Sequence, residues 1–144
     1  MSNFTEWFNA QGFRHFAASE FESYFVAQRS GVTNSVPPQR LWKNIVPTLR
    51  IVDDLRESFG KPCTILSSYR SSDYNKAVGG VGHSQHMEFS ALDIAIDDIS
   101  PQQVFDRLIE WRLAGKFMGG LGIYPTSGFV HIDTRGNNAT WRGN

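Results

Sequence analysis

Apolar positions along this chain repeat with the period of a helix in some stretches and of a strand in others. Between Gln39 and Phe59, the residues Leu41, Ile45, Leu49, Val52, Leu55 and Phe59 recur every three or four positions, which lines one face of a helix. Pro47 lies inside that run and lacks an amide donor, so a bend or a split is expected there. Gly60 and Pro62 end it. Ser100 and Pro101 start another helix as cap and first residue, with Val104, Phe105, Leu108, Ile109 and Trp111 as its stripe to about Gly115. A helix from Glu20 to about Arg29, capped by Ser19, turns Phe21, Tyr24 and Phe25 to a core. Phe4, Trp7 and Phe8 mark a short amphipathic turn or helix.

The strand period follows. Cys63–Ser67 is apolar and β-compatible, Ala91–Ile96 alternates, and Leu121–Tyr124 and Phe129–Thr134 flank a turn at Pro125–Gly128. Gly31 to Pro38 reads as a loop, and Ser68–Ser72 as a turn into a loop holding Asn75. Val78–Gly82 is a glycine-rich bend, without the Lys-Ser/Thr ending or the following helix of a phosphate-binding loop. Helices first and strands later predict an α+β fold over residues 1–144. The N-terminal helices of this single domain pack on a small antiparallel sheet.

Composition narrows the choices. A chain of 144 residues, 40% hydrophobic and 13% aromatic, suits one globular domain. Fourteen basic and fourteen acidic residues cancel, which leaves no electrostatic footprint for nucleic acid or an anionic membrane. The single Cys63 cannot form an internal disulfide and reads as a small buried core residue. The N-terminus has no basic start and no apolar run, unlike a signal peptide or membrane anchor. Synthesis in the cytoplasm without membrane insertion is the expectation.

The alternation carries the candidate chemistry. Leu92, Ile94 and Ile96 share one strand face, and Asp93 stands on the other with Ala91 and Ala95. Val130 and Ile132 point inward in the same way, opposite Phe129, His131 and Asp133. His86 lies seven residues before Asp93. Seven residues of helix would rise about 10 Å, too far for both to reach one ion, so the site is expected on a sheet surface. Two imidazoles and one carboxylate form a ligand set for Zn2+ with one open position. His83 is the rival to His86 by proximity, and His15 is not expected to be a ligand.

Seven short motifs occur in order: Ser67-Ser-Tyr-Arg70, Tyr74-Asn75, Val78-Gly-Gly80, Ser84-Gln-His86, Ala91-Leu-Asp93, Gly120-Leu-Gly122 with Tyr124-Pro125, and Val130-His-Ile-Asp133. From Phe16 to Trp141 the chain resembles the zinc D-alanyl-D-alanine carboxypeptidase family. That family includes phage endolysins and bacterial murein endopeptidases and shares its fold with the hedgehog signalling domain. The resemblance implies zinc on His86, Asp93 and His131, and Arg70 as the fork that holds a substrate carboxylate or a developing oxyanion. It also implies substrate contacts at Ser84 and Tyr124.

Two positions depart from the family pattern. Phe89 replaces a small residue and is expected to narrow the cleft or redirect the loop. Gly128 stands where many members carry an acidic base. Asp133 is therefore the expected general base, with orientation of His131 or closure of a turn as its other reading and Glu88 as the substitute base. Trp141 is expected to pack on the sheet or line the cleft. The implied function is a zinc metallopeptidase, of D,D-carboxypeptidase or endopeptidase type, acting on peptidoglycan stem peptides or cross-links. A phage-encoded protein, freed by assisted release or carried among virion proteins, would reach that substrate. The alternative is a catalytically inactive zinc-bearing domain that binds cell wall or serves as a structural part of a phage particle.

Overall fold

The N-terminal third builds an aromatic core. A computed structural model describes residues 3–144. In it, α1 (Asn3–Asn9) buries Phe4 and Phe8, and Phe4 meets the rings of Phe25, Trp42 and Phe89. Residues 4–8 therefore belong to the folded domain. Helix α2 (Ser19–Phe25) is shorter than its aromatic spacing suggests. Ser19 is its first residue rather than its cap, and no side chain caps it. Its expected second half instead enters a hairpin of β1 (Gln28–Arg29) and β2 (Val32–Thr33). Ser30 and Gly31, at φ 52° and 78°, supply the left-handed pair that a two-residue hairpin turn requires.

The long apolar stripe divides into a 3₁₀ helix (Gln39–Asn44) and α3 (Ile45–Phe59). Pro47 is the third residue of α3, within the first turn, where an amide has no helical partner in any case. The break therefore falls ahead of the proline. Gly60 closes α3 in the left-handed conformation. Strand β3 (Cys63–Ser67) follows, then α4 (Ser72–Ala77), a helix where a loop was expected. The Ser71 hydroxyl caps it by accepting from the Tyr74 amide at 3.1 Å.

Strand β4 (Ala91–Ile96) and α5 (Pro101–Leu113) match their expected positions, and Ser100 and Gln103 complete a capping box. Strands β5 (Gly120–Tyr124), β6 (Phe129–Asp133) and β7 (Ala139–Arg142) complete a five-stranded sheet of order β3-β4-β6-β5-β7. The fold is α+β, but the sheet is mixed rather than antiparallel, because β7 runs parallel to β5. The connectivity requires this. The short link after Asp133 brings Ala139, the first residue of β7, beside Gly120, the first residue of β5, so the two strands start at the same end of the sheet and run the same way.

The aliphatics on one sheet face, Leu92, Ile94, Val130, Ile132, Leu121 and Ile123, pack against Leu49, Val52 and Leu55 of α3 and against Val104 and Leu108 of α5. This leaves the opposite face to carry polar groups. Among the described residues, no helix is long and apolar enough to cross a membrane.

Candidate metal centre

One row of residues crosses the polar face of the sheet. Ser67 pairs with Asp93, Asp93 with His131, His131 with Gly122, and Gly122 with Trp141. Directly opposed residues on neighbouring strands bring their side chains together, so register alone sets Asp93 beside His131. Gly122 leaves space for the indole: a Cβ there would lie 2.3 Å from Trp141 Nε1. The Trp141 ring consequently packs 5.0 Å, centroid to centroid, from the His131 imidazole.

His86 reaches the row from outside the sheet, on a 3₁₀ helix (Gln85–Glu88). The Ser84 hydroxyl caps that turn by accepting from the His86 amide at 3.1 Å. The ligand atoms of His86, Asp93 and His131 all lie within 4.8 Å of one another, and all three residues are buried.

Hydrogen bonds choose which imidazole nitrogens face the centre. His86 Nδ1 donates to the Ser68 carbonyl at 2.7 Å, which turns the Nε2 lone pair toward Asp93 Oδ2, 3.3 Å away. His131 has the opposite orientation. Its Nε2 donates to Asp133 Oδ2 at 2.7 Å, and its Nδ1 lies 3.1 Å from Asp93 Oδ1. Two imidazole lone pairs therefore converge on one carboxylate, an arrangement that repels unless a proton or a cation lies between them. Buried donors of this kind, each held by an outer hydrogen bond, suit a divalent metal.

The electrostatics match. Burial pushes the Asp93 carboxyl up, but His86 and His131 outweigh it and hold Asp93 well below the usual carboxylate range. Burial lowers His86 despite Asp93. Burial also pushes His131 down, but hydrogen bonds to Asp133 and Asp93 reverse the direction and raise it.

Arg70 reaches the same point. Its Nη2 lies 3.6 Å from Asp93 Oδ2 and its Nη1 is 3.3 Å from Asn75 Oδ1, while its buried Nε has no partner. Asn75 is itself anchored by donating to the Val81 carbonyl at 2.7 Å. Gly80 is needed here, since a Cβ would fall 2.1 Å from Asn75 Oδ1. The glycine-rich bend thus makes room for the asparagine that steers Arg70.

A cavity of about 560 Å³ opens over the row, lined by Arg70, His83, Ser84, Tyr124, Arg135 and Trp141 besides the three ligand-type residues. Tyr124 stacks on Phe129 at 4.5 Å and accepts from Trp141 Nε1 at 2.8 Å, so Trp141 both packs and lines the cleft. Asp133 is displaced from its expected place. It does not line the cavity, is 0% exposed, and accepts from His131, the Gly120 amide and Arg135. Small neighbours make its niche: it pairs with Ala91, and a Cβ on Gly120 would lie 2.5 Å from its Oδ2. It stands behind His131 rather than beside a reacting atom.

Glu88 is exposed and lines a neighbouring pocket. Phe89 does not narrow the cleft. Its ring is buried against Phe4, Phe21, Phe25 and Tyr69, and the backbone takes a left-handed φ of 56° to send it there. His15 pairs with Glu57 at 2.7 Å, away from the cavity. His83 lines the cavity outside the triad. The sequence reading missed Arg135, whose signal was its place two residues after Asp133 in an extended stretch.

The comparisons follow this geometry. Residues 14–133 match the Peptidase M15 family. The peptidoglycan L,D-endopeptidase MepK of Escherichia coli K12 is 27% identical over 139 residues, spanning 90% of this chain and 68% of that protein. MepK of Shigella flexneri matches to the same extent. The Haemophilus influenzae protein named probable peptidoglycan L,D-endopeptidase MepK is 31% identical over 86 residues, or 55% of this chain and 42% of that one. No solved structure matches. With the family match covering most of its length and its own ligand-type residues brought together on the sheet, this chain belongs to the Peptidase M15 family.

Proposed function

We propose that the protein is a zinc-dependent peptidase that cuts peptidoglycan stem peptides or cross-links, as an endopeptidase. One observation carries the reading: two imidazole lone pairs and Asp93 converge on the floor of a cavity beside the Arg70 guanidinium, whose Nη2 lies 3.6 Å from Asp93 Oδ2. His86 Nε2, His131 Nδ1 and Asp93 would hold the ion. Bound zinc polarises a carbonyl and brings the pKa of a bound water to about 7.

The chain's own groups do the rest. Arg70, whose Nη2 stands 3.6 Å from Asp93 Oδ2 on the cavity wall, offers its guanidinium to a substrate oxygen, which a planar fork holds better than a point charge. The wall of Tyr124, Phe129 and Trp141 excludes water and packs the apolar part of a peptide. Asp133 keeps His131 in one tautomer and one orientation. With its oxygens occupied by His131, Gly120 and Arg135, Asp133 is the positioning group. The names of the relatives support the endopeptidase form and an L,D bond.

Digestion of purified murein, with and without a chelator and with zinc restored, tests the whole reading. New peptides identified by mass spectrometry, lost on chelation and regained with zinc, are the expected result, and their masses identify the bond. Binding to murein with no product would favour the inactive wall-binding domain. Delivery by a phage, in a particle or by assisted release, is part of this proposal. Probing purified virions and lysates for the protein checks it.

A further inference from the structure

The link between β6 and β7 closes a circuit of contacts behind the metal-type row. His131 Nε2 donates to Asp133 Oδ2 at 2.7 Å, and Asp133 accepts from Arg135 Nη2 at 2.7 Å and Nε at 2.9 Å. The Arg135 guanidinium lies 5.3 Å from the centre of the Trp141 indole, and that indole packs 5.0 Å from the His131 ring. Imidazole, carboxylate, guanidinium and indole thus hold one another in a closed loop, and one of the four is a metal-type ligand. Both Arg135 contacts depend on the shape of arginine. A planar fork meets two carboxylate oxygens at once, and a guanidinium is attracted to an aromatic face. Gly120 leaves room for the pair, because a Cβ there would lie 2.5 Å from Asp133 Oδ2 and 3.0 Å from Arg135 Nε. Asp133 is 0% exposed, so its charge needs such a partner. Arg135 itself is 28% exposed. A substitution at so open a position is ordinarily mild, which makes an effect on the metal centre diagnostic.

We propose that Arg135 is a positioning residue for the metal centre: it fixes Asp133 on one side and Trp141 on the other, and through them holds His131 Nδ1 toward Asp93 and the ion. Without the fork, the Asp133 carboxylate is free to rotate, and His131 loses the outer hydrogen bond that sets its ring. Lysine would keep the charge but lack the planar fork. This rests on the metal reading above and adds a residue that acts on the centre through its neighbours.

Two measurements test it, one with zinc and one without. In competition with a chromogenic chelator, Arg135→Gln should bind zinc about 10–100-fold more weakly than wild type, and Arg135→Lys should recover only part. In an Asp133→Asn background, Arg135→Gln should add little, since residues that act through one contact are not additive. In the metal-free protein, NMR follows exchange of the His131 Nε2 proton with water. That exchange should be slow in wild type and fast in Arg135→Gln. A urea midpoint shows whether Arg135→Gln is folded, and Arg135→Lys carries both measurements if it is not. Wild-type zinc affinity and proton exchange in the variant would overturn the assignment, as would additive losses in the Asp133→Asn background. No zinc binding by any form, with the difference in proton exchange intact, would keep the Arg135 clamp and sink the metal reading.

Discussion

Asp133 joins three groups through one carboxylate: the His131 imidazole, the Arg135 guanidinium and the Gly120 amide. Partners that orient a metal-binding histidine typically contribute a factor of about 10–100 in metal affinity. Asp133→Asn should therefore weaken zinc binding on that scale, read by competition with a chromogenic chelator. Unchanged affinity together with a large fall in kcat would restore Asp133 as a base. Arg70 should behave in the opposite way. Arg70→Ala should keep its zinc and lose about 10²–10³ in rate, and Arg70→Lys should recover only part. A lysine variant as fast as wild type would show that the fork is not needed.

At the scale of elements, β7 and the turn around Phe89 do the positioning. Trp141 rests on Gly122 because nothing else fits between them. Gly122→Ala should cost roughly 1–3 kcal/mol by overpacking, measured by urea unfolding. In a Trp141→Ala background most of that cost should vanish, since contacting residues couple. Additive losses would mean the clash is not with the indole. Phe89→Ala removes a fully buried ring and should cost about 3–5 kcal/mol. It should still load zinc, because the ring points away from the cavity. Loss of zinc at full stability would tie Phe89 to the site instead.

For the molecule as a whole, the buried charges set the response to acid. Burial pushes the Asp133 carboxyl up, but hydrogen bonds from His131 and Arg135 outweigh it and hold it below the usual carboxylate range. A folded value below the unfolded one gives stability that is complete above the unfolded pKa of about 4 and is lost as pH falls toward the folded value. Metal-free wild type should therefore lose stability on acidification below about pH 4. Asp133→Asn should start less stable at pH 7 and lose less over that window. Urea midpoints at pH 7 and pH 3 measure both, and parallel losses would contradict the assignment. Burial also pushes the Cys63 thiol up to about 12, so an alkylating reagent should modify it only after unfolding.

Local pattern was enough for much of this. A two-residue period placed aliphatics behind Asp93 and His131, and Ser100 as cap with Pro101 as first residue marked the start of α5. These properties depend on neighbours in the chain, and a sequence displays such neighbours directly. Other features came from contacts between distant residues. Ser30 and Gly31 turned a helical-looking segment into a hairpin, because two positive φ angles close it more tightly than the aromatic spacing extends it. Strand β7 has too little alternating apolar character to announce itself. Its place beside β5 is decided by Gly122 making room for Trp141. Asp133 shows the limit most clearly. Two-residue spacing put it on the same face as His131, but only the packed sheet, with Ala91, Gly120 and Arg135 around it, decided that it faces the back of the imidazole and not the cavity. A strand's period chooses the face of a side chain, and its neighbours on the adjoining strands choose what it meets there.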